Sequence, residues 1–140
     1  MQPFQVTKVI EFAYGHRLLE YEGKCRYLHG HNGVLEIDID SDELDDLGMV
    51  VDFGRVNDIV RTWVNDNLDH RMLLSRADPV VPVLQQMGEP LFLMDENPTA
   101  ENIAKMIWHA AREAGLRVSE VRLWETGTSR ASFRGEAWAG

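Results

Sequence analysis

The stretch "CRYLHGHNGVLEIDID", residues 25–40, decides the fold, because a His-Gly-His runs directly into a regular alternation of side chains. Over residues 33–40 apolar side chains recur at every second position, which is typical of a half-buried β-strand. Such a strand predicts a sheet with one face on a hydrophobic core. The same stretch holds the chain's single cysteine and two of its five histidines. It therefore also indicates where a functional site would lie.

The sequence on either side predicts further strands and two helices. Apolar residues recur at helical spacing over residues 53–67. A second helix is indicated by Asn97 as the N-cap, Pro98 at the first helical position and Gly115 as the stop. Residues 75–94 contain three prolines and a glycine, and are interpreted as a long loop with a short strand at "PLFLM". The elements follow the order ββααββ, with strands at residues 5–16, 33–40, 117–125 and 129–138.

This order predicts an α+β fold, in which an antiparallel four-stranded sheet carries two helices on one face. The opposite face must then be either polar or covered by other subunits, and we expect oligomerisation. The chain has 140 residues without a repeat or a linker, so one domain spanning residues 1–140 is expected.

The composition, with 44% apolar and 26% charged residues, is that of an ordinary globular protein. No apolar run approaches the roughly 20 residues that span a bilayer, and the N-terminus lacks the features of a signal peptide. We therefore expect a cytoplasmic protein with no membrane partner. The net charge of −9 argues against a nucleic-acid partner, because such binding depends on basic surface. The acidic residues 38–46 are interpreted as a solvated strand end and loop, since the spacing of a calcium-binding loop is absent.

The histidines His29 and His31 lie two residues apart, so within a strand both side chains would point to the same face. Such a pair is often only polar surface, but it can also hold one metal ion. His16, at the end of the neighbouring predicted strand, is the obvious third ligand. Three neutral imidazoles with an open fourth position are the donor set of a catalytic zinc site, so the expected cofactor is Zn²⁺.

The cysteine, Cys25, lies four residues before His29 and between Lys24 and Arg26. Basic neighbours favour the thiolate, the form needed for nucleophilic attack or proton transfer. The same thiol could be an inert buried group, or a fourth zinc ligand that closes a structural site. The spacing does not separate these alternatives.

Acidic residues supply the remaining candidates. Asp69 precedes His70, and a carboxylate can fix the tautomer of an imidazole and raise its basicity for proton transfer. Glu125 ends a predicted strand before a glycine turn. An acid at that place is either solvated or able to anchor the N–H edge of a heterocycle.

His109, amid the core spacing of the second helix, is interpreted as structural.

Six short motifs occur between residues 12 and 126: "FAYGHRL", "CRYLHGHNG", "VVDF", "LDHRMLL", "PTAENIA" and "LWET". Their combination and order resemble the 6-pyruvoyl-tetrahydropterin synthase / 6-carboxytetrahydropterin synthase family. The resemblance implies the tunnelling fold, in which ββααββ protomers join their sheets into an oligomeric barrel. Hexamers built as a dimer of trimers are common in that family, with active sites at subunit interfaces.

The resemblance also implies a role for each candidate: zinc ligands at His16, His29 and His31, proton transfer by Cys25 and by Asp69 with His70, and pterin anchoring by Glu125. The implied substrate is 7,8-dihydroneopterin triphosphate. The preferred product is 6-carboxy-5,6,7,8-tetrahydropterin, formed with loss of triphosphate and acetaldehyde in queuosine and deazaguanine synthesis. One alternative is a 6-pyruvoyl-tetrahydropterin synthase, which only eliminates triphosphate. Another is a non-catalytic, zinc-containing module that binds a pterin or a purine.

The chain departs from the family pattern at three places. Gly33 stands where an aromatic residue usually follows His-Gly-His-Asn, and Leu74 stands where an Asn is usual. Residues 75–94 look longer than the family's connection, so the pocket or its lid is expected to differ. Lys24, Arg26 and Arg17 are the local candidates for meeting the charge of a triphosphate.

Overall fold

A computed structural model describes residues 2–135 of the chain, and these residues form six strands and three helices. The strands are β1 Phe4–His16, β2 His29–Ser41, β3 Arg71–Ser75, β4 Leu91–Met94, β5 Val118–Thr126 and β6 Ser129–Phe133. The helices are α1 Phe53–Asn67, α2 Val81–Gln86 and α3 Ala100–Glu113, and a short 3-10 turn spans Lys24–Arg26. The last predicted strand extends to residue 138, and residues 136–138 lie outside the described residues.

The six strands form one sheet in the order β4-β3-β1-β2-β5-β6. The predicted α+β class is confirmed, but the prediction of a four-stranded antiparallel sheet is wrong. The four predicted strands do pair antiparallel, as β1 with β2, β2 with β5, and β5 with β6. Beyond them, β3 and β4 add to the edge of the sheet as parallel neighbours. Parallel pairing requires a crossover connection, and α1 provides it between β2 and β3.

The hydrophobic core lies between one face of this sheet and the helices. The pairing of β1 with β2 runs from Phe4 opposite Ser41 to His16 opposite His29. Side chains at alternate positions of the strands, among them Ile10, Leu35, Ile37 and Leu123, share this core with side chains of α1 and α3. The helix residues include Val60, Val64, Ile103 and Ile107. Burying one such side chain stabilises a fold by about 1.5–3 kcal/mol. The core therefore fixes which side chains of β1 and β2 face the helices.

The helices confirm part of the prediction. Helix α1 spans the predicted residues, and the Asp52 carboxylate caps it by accepting from Gly54 N–H at 2.6 Å. Asn97 was predicted to cap α3, and this is wrong. Thr99 is the N-cap, accepting from Asn102 N–H at 3.1 Å. None of the helices that the structure describes has both the length and the apolar character to cross a bilayer.

The segment of residues 75–94 is more regular than predicted. It contains the last residue of β3, the six-residue helix α2 and the strand β4. The short strand predicted at "PLFLM" is confirmed as β4, whereas the rest of the segment is not simply a loop. The bend around α2 allows β4 to lie parallel to β3, from Met72 opposite Leu91 to Ser75 opposite Met94.

The sheet face opposite the helices is polar. Arg122 on β5 donates from Nε to Glu36 at 3.0 Å and from a terminal nitrogen to Asp38 at 2.7 Å, and it also pairs with Glu120. Asp38 is only 2% exposed, so the interpretation of the acidic residues 38–46 as solvated is wrong at that position. A charged face of this kind does not by itself require a covering subunit.

Candidate metal centre and active site

The pairing of β1 with β2 brings the three predicted metal ligands together. His16, the last residue of β1, lies opposite His29, the first residue of β2, and His31 follows on the same face. One ring nitrogen from each of the three residues lies within 4.8 Å of the others, and His16 Nε2 is 3.1 Å from His31 Nε2. The histidines belong to the strand because β2 begins at residue 29, four residues earlier than the prediction placed it.

Backbone carbonyls fix the orientation of two of these rings. His16 Nδ1 lies 2.7 Å from the carbonyl oxygen of Pro98, and His29 Nδ1 lies 2.7 Å from that of Tyr27. A carbonyl oxygen can only accept, so in each ring Nδ1 carries the hydrogen and Nε2 keeps its lone pair. Metal-binding histidines are commonly held in this way through their second nitrogen.

The surroundings of the cluster favour neutral imidazoles. His16 is 2% exposed, and burial lowers its pKa below the ordinary value, with the neighbouring His29 and His31 acting in the same direction. Burial likewise lowers the pKa of His31. The hydrogen bond from His16 to Pro98 opposes the shift without reversing it. Because a metal ion binds only the neutral ring, the site is set for a metal rather than a proton.

The donor set fits zinc. In a tetrahedral site with Zn–N bonds of about 2.0–2.1 Å, two ligand nitrogens lie about 3.3–3.4 Å apart. The separation of 3.1 Å between His16 Nε2 and His31 Nε2 is close to that value. Across residues 2–135, this cluster is the one group of His, Cys, Asp and Glu side chains whose donor atoms converge closely enough to hold a metal ion. Three imidazoles leave a fourth coordination position open, as a catalytic zinc requires.

Glu125 and Tyr14 adjoin the histidines. A carboxylate oxygen of Glu125, at the end of β5, lies 3.5 Å from His31 Nε2. The Tyr14 ring lies 5.3 Å from the ring of His16 and 5.5 Å from that of His31. Its hydroxyl is buried and has no hydrogen-bond partner in the part of the chain that the structure describes. Burial, then the charge of Glu125, raises the pKa of this phenol. Sequence reasoning missed Tyr14 because its alternation in β1 is that of a core residue.

The Asp69–His70 pair forms the contact that adjacency alone did not guarantee. His70 Nδ1 donates to Asp69 Oδ2 at 2.7 Å, and the other oxygen of Asp69 accepts from Ala13 N–H at 3.0 Å. Burial raises the pKa of the Asp69 carboxyl, but these hydrogen bonds outweigh it and bring the pKa below the ordinary value. His70 itself has a φ of 59°, a left-handed conformation that often occurs at functional sites.

One cavity joins this pair to the histidine cluster. It has a volume of about 520 Å³ and is lined by His29, His31, His70, Met72 and Glu89, among other residues. The His70 side chain is 80% exposed at its edge. His70 of this pair and two of the three metal-ligand candidates thus line one cavity, which is large enough for a small heterocyclic ligand.

Cys25 lies outside the group of converging donor atoms. It is half-buried in the 3-10 turn Lys24–Arg26, and its carbonyl accepts from Leu18 N–H at 2.9 Å. The arrangement does not favour the alternative in which this thiol is a fourth zinc ligand. Proton transfer by Cys25 and an inert thiol stay as the two predictions.

Arg17 is engaged by a residue that sequence reasoning missed. Its Nε donates to Asp78 Oδ2 at 2.7 Å, a terminal nitrogen contacts Oδ1, and the Asp78 side chain is fully buried. The Arg17 guanidinium, aided by a hydrogen bond from Val80 N–H, holds the pKa of Asp78 below its ordinary value. Arg17 is thus bound in an ion pair, which argues against its predicted role with a triphosphate. No pattern in the sequence indicates Asp78, because this residue lies in the segment interpreted as a loop.

Two departures from the family pattern have local explanations. A Cβ at Gly33 would lie 3.0 Å from Tyr14 Cε1 and 3.3 Å from Leu123 Cδ1, so the Tyr14 ring occupies the space above this glycine. Leu74 is fully buried in β3 and serves the core. Gly33 therefore changes the wall of the site, whereas Leu74 does not enter it.

This curled sheet, with a three-histidine cluster near an Asp-His pair, has the architecture of a pterin synthase. Residues 5–136 match the family model of 6-pyruvoyl tetrahydropterin synthase. The chain is 45% identical over 100 residues to the 6-carboxy-5,6,7,8-tetrahydropterin synthase of Rickettsia bellii, covering 70% of this chain and 72% of that protein. It is 43% identical over 130 residues to the protein of that name from Rickettsia felis, covering 86% and 92%.

A solved structure shows the same fold. An uncharacterized protein of Wolinella succinogenes superposes with a TM-score of 0.78 at 26% identity, covering 95% of this chain and 98% of that one. The chain belongs to the 6-pyruvoyl tetrahydropterin synthase family. The resemblance drawn from the six sequence motifs, and with it the prediction of a lyase-type enzyme, is confirmed.

Proposed function

We propose that this chain is a zinc-dependent 6-carboxy-5,6,7,8-tetrahydropterin synthase of the cytoplasm, acting in queuosine and deazaguanine synthesis. Its substrate would be 7,8-dihydroneopterin triphosphate, and triphosphate and acetaldehyde would be lost. The names of the relatives from Rickettsia support this activity. The observation that carries the proposal is the three-histidine cluster, in which backbone carbonyls leave the Nε2 lone pairs of His16 and His29 free and two members line a cavity together with His70.

The metal would be held by His16, His29 and His31. Bound there, Zn²⁺ supplies Lewis acidity toward the oxygens of the substrate side chain, which makes the neighbouring C–H bonds more acidic. The fixed tautomers of His16 and His29 keep the donor atoms aimed at one point, so the ligands need no rearrangement when the ion binds.

Proton transfer falls to the side chains around the cavity. His70 donates its Nδ1 hydrogen to Asp69, so its Nε2 is the atom that would accept and return protons, and the carboxylate fixes this tautomer. Cys25 would act as the second proton-transfer group, from the turn that leads into β2. Glu125 would accept hydrogen bonds from the N–H edge of the pterin ring and orient it beside the metal.

We further propose a homo-oligomer, a hexamer formed as a dimer of trimers. Two unpaired strand edges support this proposal. Among the described residues, neither the outer edge of β6 nor residues 4–13 of β1, on the side away from β2, have a strand neighbour. Exposed strand edges are usually covered, and joining these two edges between protomers would extend the sheets into a barrel. Native mass spectrometry checks the count, with about 96 kDa expected from six chains of 16.0 kDa.

Product analysis tests the activity. The zinc-loaded protein is incubated with 7,8-dihydroneopterin triphosphate without oxygen, and pterins and acetaldehyde are followed by mass spectrometry. A 6-carboxy product together with acetaldehyde supports the proposal. A 6-pyruvoyl product without acetaldehyde would reassign the chain to the triphosphate-eliminating branch. Unchanged substrate with bound zinc would refute both activities.

A Cys25→Ala variant separates an enzyme from a binding module. The proposal expects turnover to fall by about 10²–10⁴-fold, the usual contribution of a proton-transfer group, while the variant still binds zinc. A variant that loses zinc would make Cys25 a fourth ligand, contrary to the geometry. Unchanged turnover would remove Cys25 from the mechanism.

A further inference from the structure

The side-chain amide of Asn97 connects three parts of the chain near the histidine cluster. Its Oδ1 accepts from Leu19 N–H at 3.0 Å, and its Nδ2 donates to the Leu19 carbonyl at 3.1 Å. Both polar groups of one backbone residue are therefore satisfied by one side chain, 78 positions away in sequence. A two-point contact of this kind fixes both the distance and the orientation of the joined segments.

The backbone of Asn97 is held as well. Its carbonyl accepts from Thr99 N–H at 2.8 Å and from the Asn102 side chain at 2.9 Å. The peptide between these partners is that of Pro98, whose own carbonyl accepts from His16 Nδ1 at 2.7 Å. The Pro98 carbonyl, which sets the tautomer of His16, thus belongs to a short segment that is held by the hydrogen bonds of Asn97.

The Leu19 side of this contact is connected to the turn that contains Cys25. Leu19 follows Leu18, whose N–H donates to the carbonyl of Cys25 at 2.9 Å. The Leu18–Leu19 backbone is therefore bonded on one side to the turn that carries the thiol and on the other to the Asn97 amide. His16 begins the same segment, only three residues before Leu19.

We propose that Asn97 is a positioning residue that fixes the metal ligand His16 and the Cys25 thiol relative to each other through its side-chain amide. It acts on His16 through the Pro98 carbonyl and on Cys25 through the Leu18–Leu19 backbone. It touches neither metal nor substrate. The inference rests on the proposed metal-dependent function and adds to it the residue that maintains the geometry between the ligand and the thiol.

This role explains why Asn97 does not cap α3. The Asn97 amide is bonded to both backbone groups of Leu19, and Thr99, two residues later, is the N-cap. The sequence pattern placed a good capping residue at position 97. The structure uses its amide for a contact with the segment that follows β1 instead.

Two substitutions at position 97 test the proposal. Asn97→Ala removes both hydrogen bonds to Leu19. Asn97→Asp keeps the acceptor for Leu19 N–H but sets a carboxylate oxygen against the Leu19 carbonyl. Asn67→Ala is the matched control, because it removes an amide that donates to the Trp63 carbonyl within α1 at 2.8 Å. Affinity for Co²⁺ or Zn²⁺ and the rate of alkylation of the single cysteine are measured for all three variants.

Loss of an outer partner of a metal ligand typically weakens metal affinity by about 10–100-fold. We expect a loss in this range for both Asn97 variants, together with an altered alkylation rate and a fall in kcat larger than the change in KM. Asn67→Ala should match the wild type in all four quantities. If both Asn97 variants stay within about twofold of Asn67→Ala in metal affinity and alkylation, the role of Asn97 is structural only and the proposal fails.

A measurement on the wild-type protein covers the case in which neither variant folds. Nitrogen-15 NMR of the metal-free protein should show His16 with its hydrogen on Nδ1, and both that hydrogen and one Asn97 amide hydrogen should exchange slowly. Fast exchange of either, or a hydrogen on His16 Nε2, overturns the proposal. A wild type that binds metal but does not convert the pterin would refute the proposed function and leave these readouts intact.

Discussion

The three histidines at the β1–β2 end and the histidine of the Asp69–His70 pair differ in burial and in partners, although His29, His31 and His70 line one cavity. His16 is 2% exposed and donates to a backbone carbonyl, whereas the side chain of His70 is 80% exposed and donates to a carboxylate. A carbonyl sets the tautomer without adding charge, so the ring stays a neutral metal ligand. A carboxylate stabilises the protonated ring and lets it carry protons. The partner of Nδ1 thus separates the two roles.

Removing a ligand tests the metal side of this comparison and has the largest expected effect. His29→Ala deletes one of three donors and leaves two imidazoles that cannot complete the site. We expect metal affinity to fall by more than about 100-fold, beyond the loss typical of outer-shell changes, with turnover falling in parallel. Equilibrium dialysis with Zn²⁺ measures it, and His109→Ala on α3 is the control. Tight binding by His29→Ala would mean that the metal is held elsewhere.

Removing the carboxylate tests the proton-transfer side. Asp69→Asn retains one acceptor for Ala13 N–H, but the new NH₂ cannot accept from His70 Nδ1. We expect turnover to fall by about 10²–10⁴-fold with metal affinity unchanged, because this pair is not a ligand group. Steady-state kinetics and metal titration on the same sample measure both quantities. The control is Asp66→Asn, which changes an exposed acid on α1. If Asp69→Asn also lost metal affinity, the distinction between the histidine cluster and the Asp69–His70 pair would be wrong.

The parts of the fold that sequence could predict are those with long periodic patterns. Helix α1 and the strands β1, β2 and β5 have 9 to 15 residues each, so their periods are readable. Strand β3 has five residues and α2 has six, which is too short for a period to be distinguished. The pairing of β3 with β1 is also non-local, and no pattern within "RMLLS" indicates a partner.

The candidate site likewise contains residues that could be predicted from the sequence and residues that could not. His16, His29 and His31 were predictable because direct strand pairing converts sequence spacing into proximity. Asp78 and the amide of Asn97 were not, since each is bonded to a segment at least 61 residues away through an irregular connection. Whether a side chain forms a hydrogen bond with a distant segment depends on how the loops pack, and the residue type alone does not predict this packing.

The Arg17–Asp78 pair tests how much the buried cluster depends on the segment around α2. Asp78→Asn keeps the shape but removes the charge that pairs with Arg17, directly after His16. A hydrogen bond to a charged group contributes about 1.5–3 kcal/mol, so we expect the free energy of unfolding to fall by that amount at pH 7. Urea unfolding measures it, and Asp95→Asn, in the exposed pair with Arg76, should change stability by less than about 1 kcal/mol.

The same variant should change the pH dependence of stability. The pKa of Asp78 is depressed in the folded protein, so its contribution is present above the unfolded value of about 3.9 and is lost as the pH falls below it. The wild type should therefore lose its advantage over Asp78→Asn between about pH 5 and the folded-state pKa. A stability difference that stays constant down to pH 3 would show that the charge of Asp78 does not carry the effect.

The smallest expected effect belongs to the hydroxyl of Tyr14, which is buried and has no hydrogen-bond partner among residues 2–135. An unsatisfied buried hydroxyl costs about 1–3 kcal/mol, so Tyr14→Phe should raise the free energy of unfolding of the metal-free protein by about 1 kcal/mol. Thermal unfolding measures this change, and the ring contacts with His16 and His31 are kept. If the variant is instead less stable, or binds metal more weakly, the hydroxyl has a partner in the metal-bound protein. The distinction between the two histidine groups would then rest on this phenol as well as on the carbonyls of Pro98 and Tyr27.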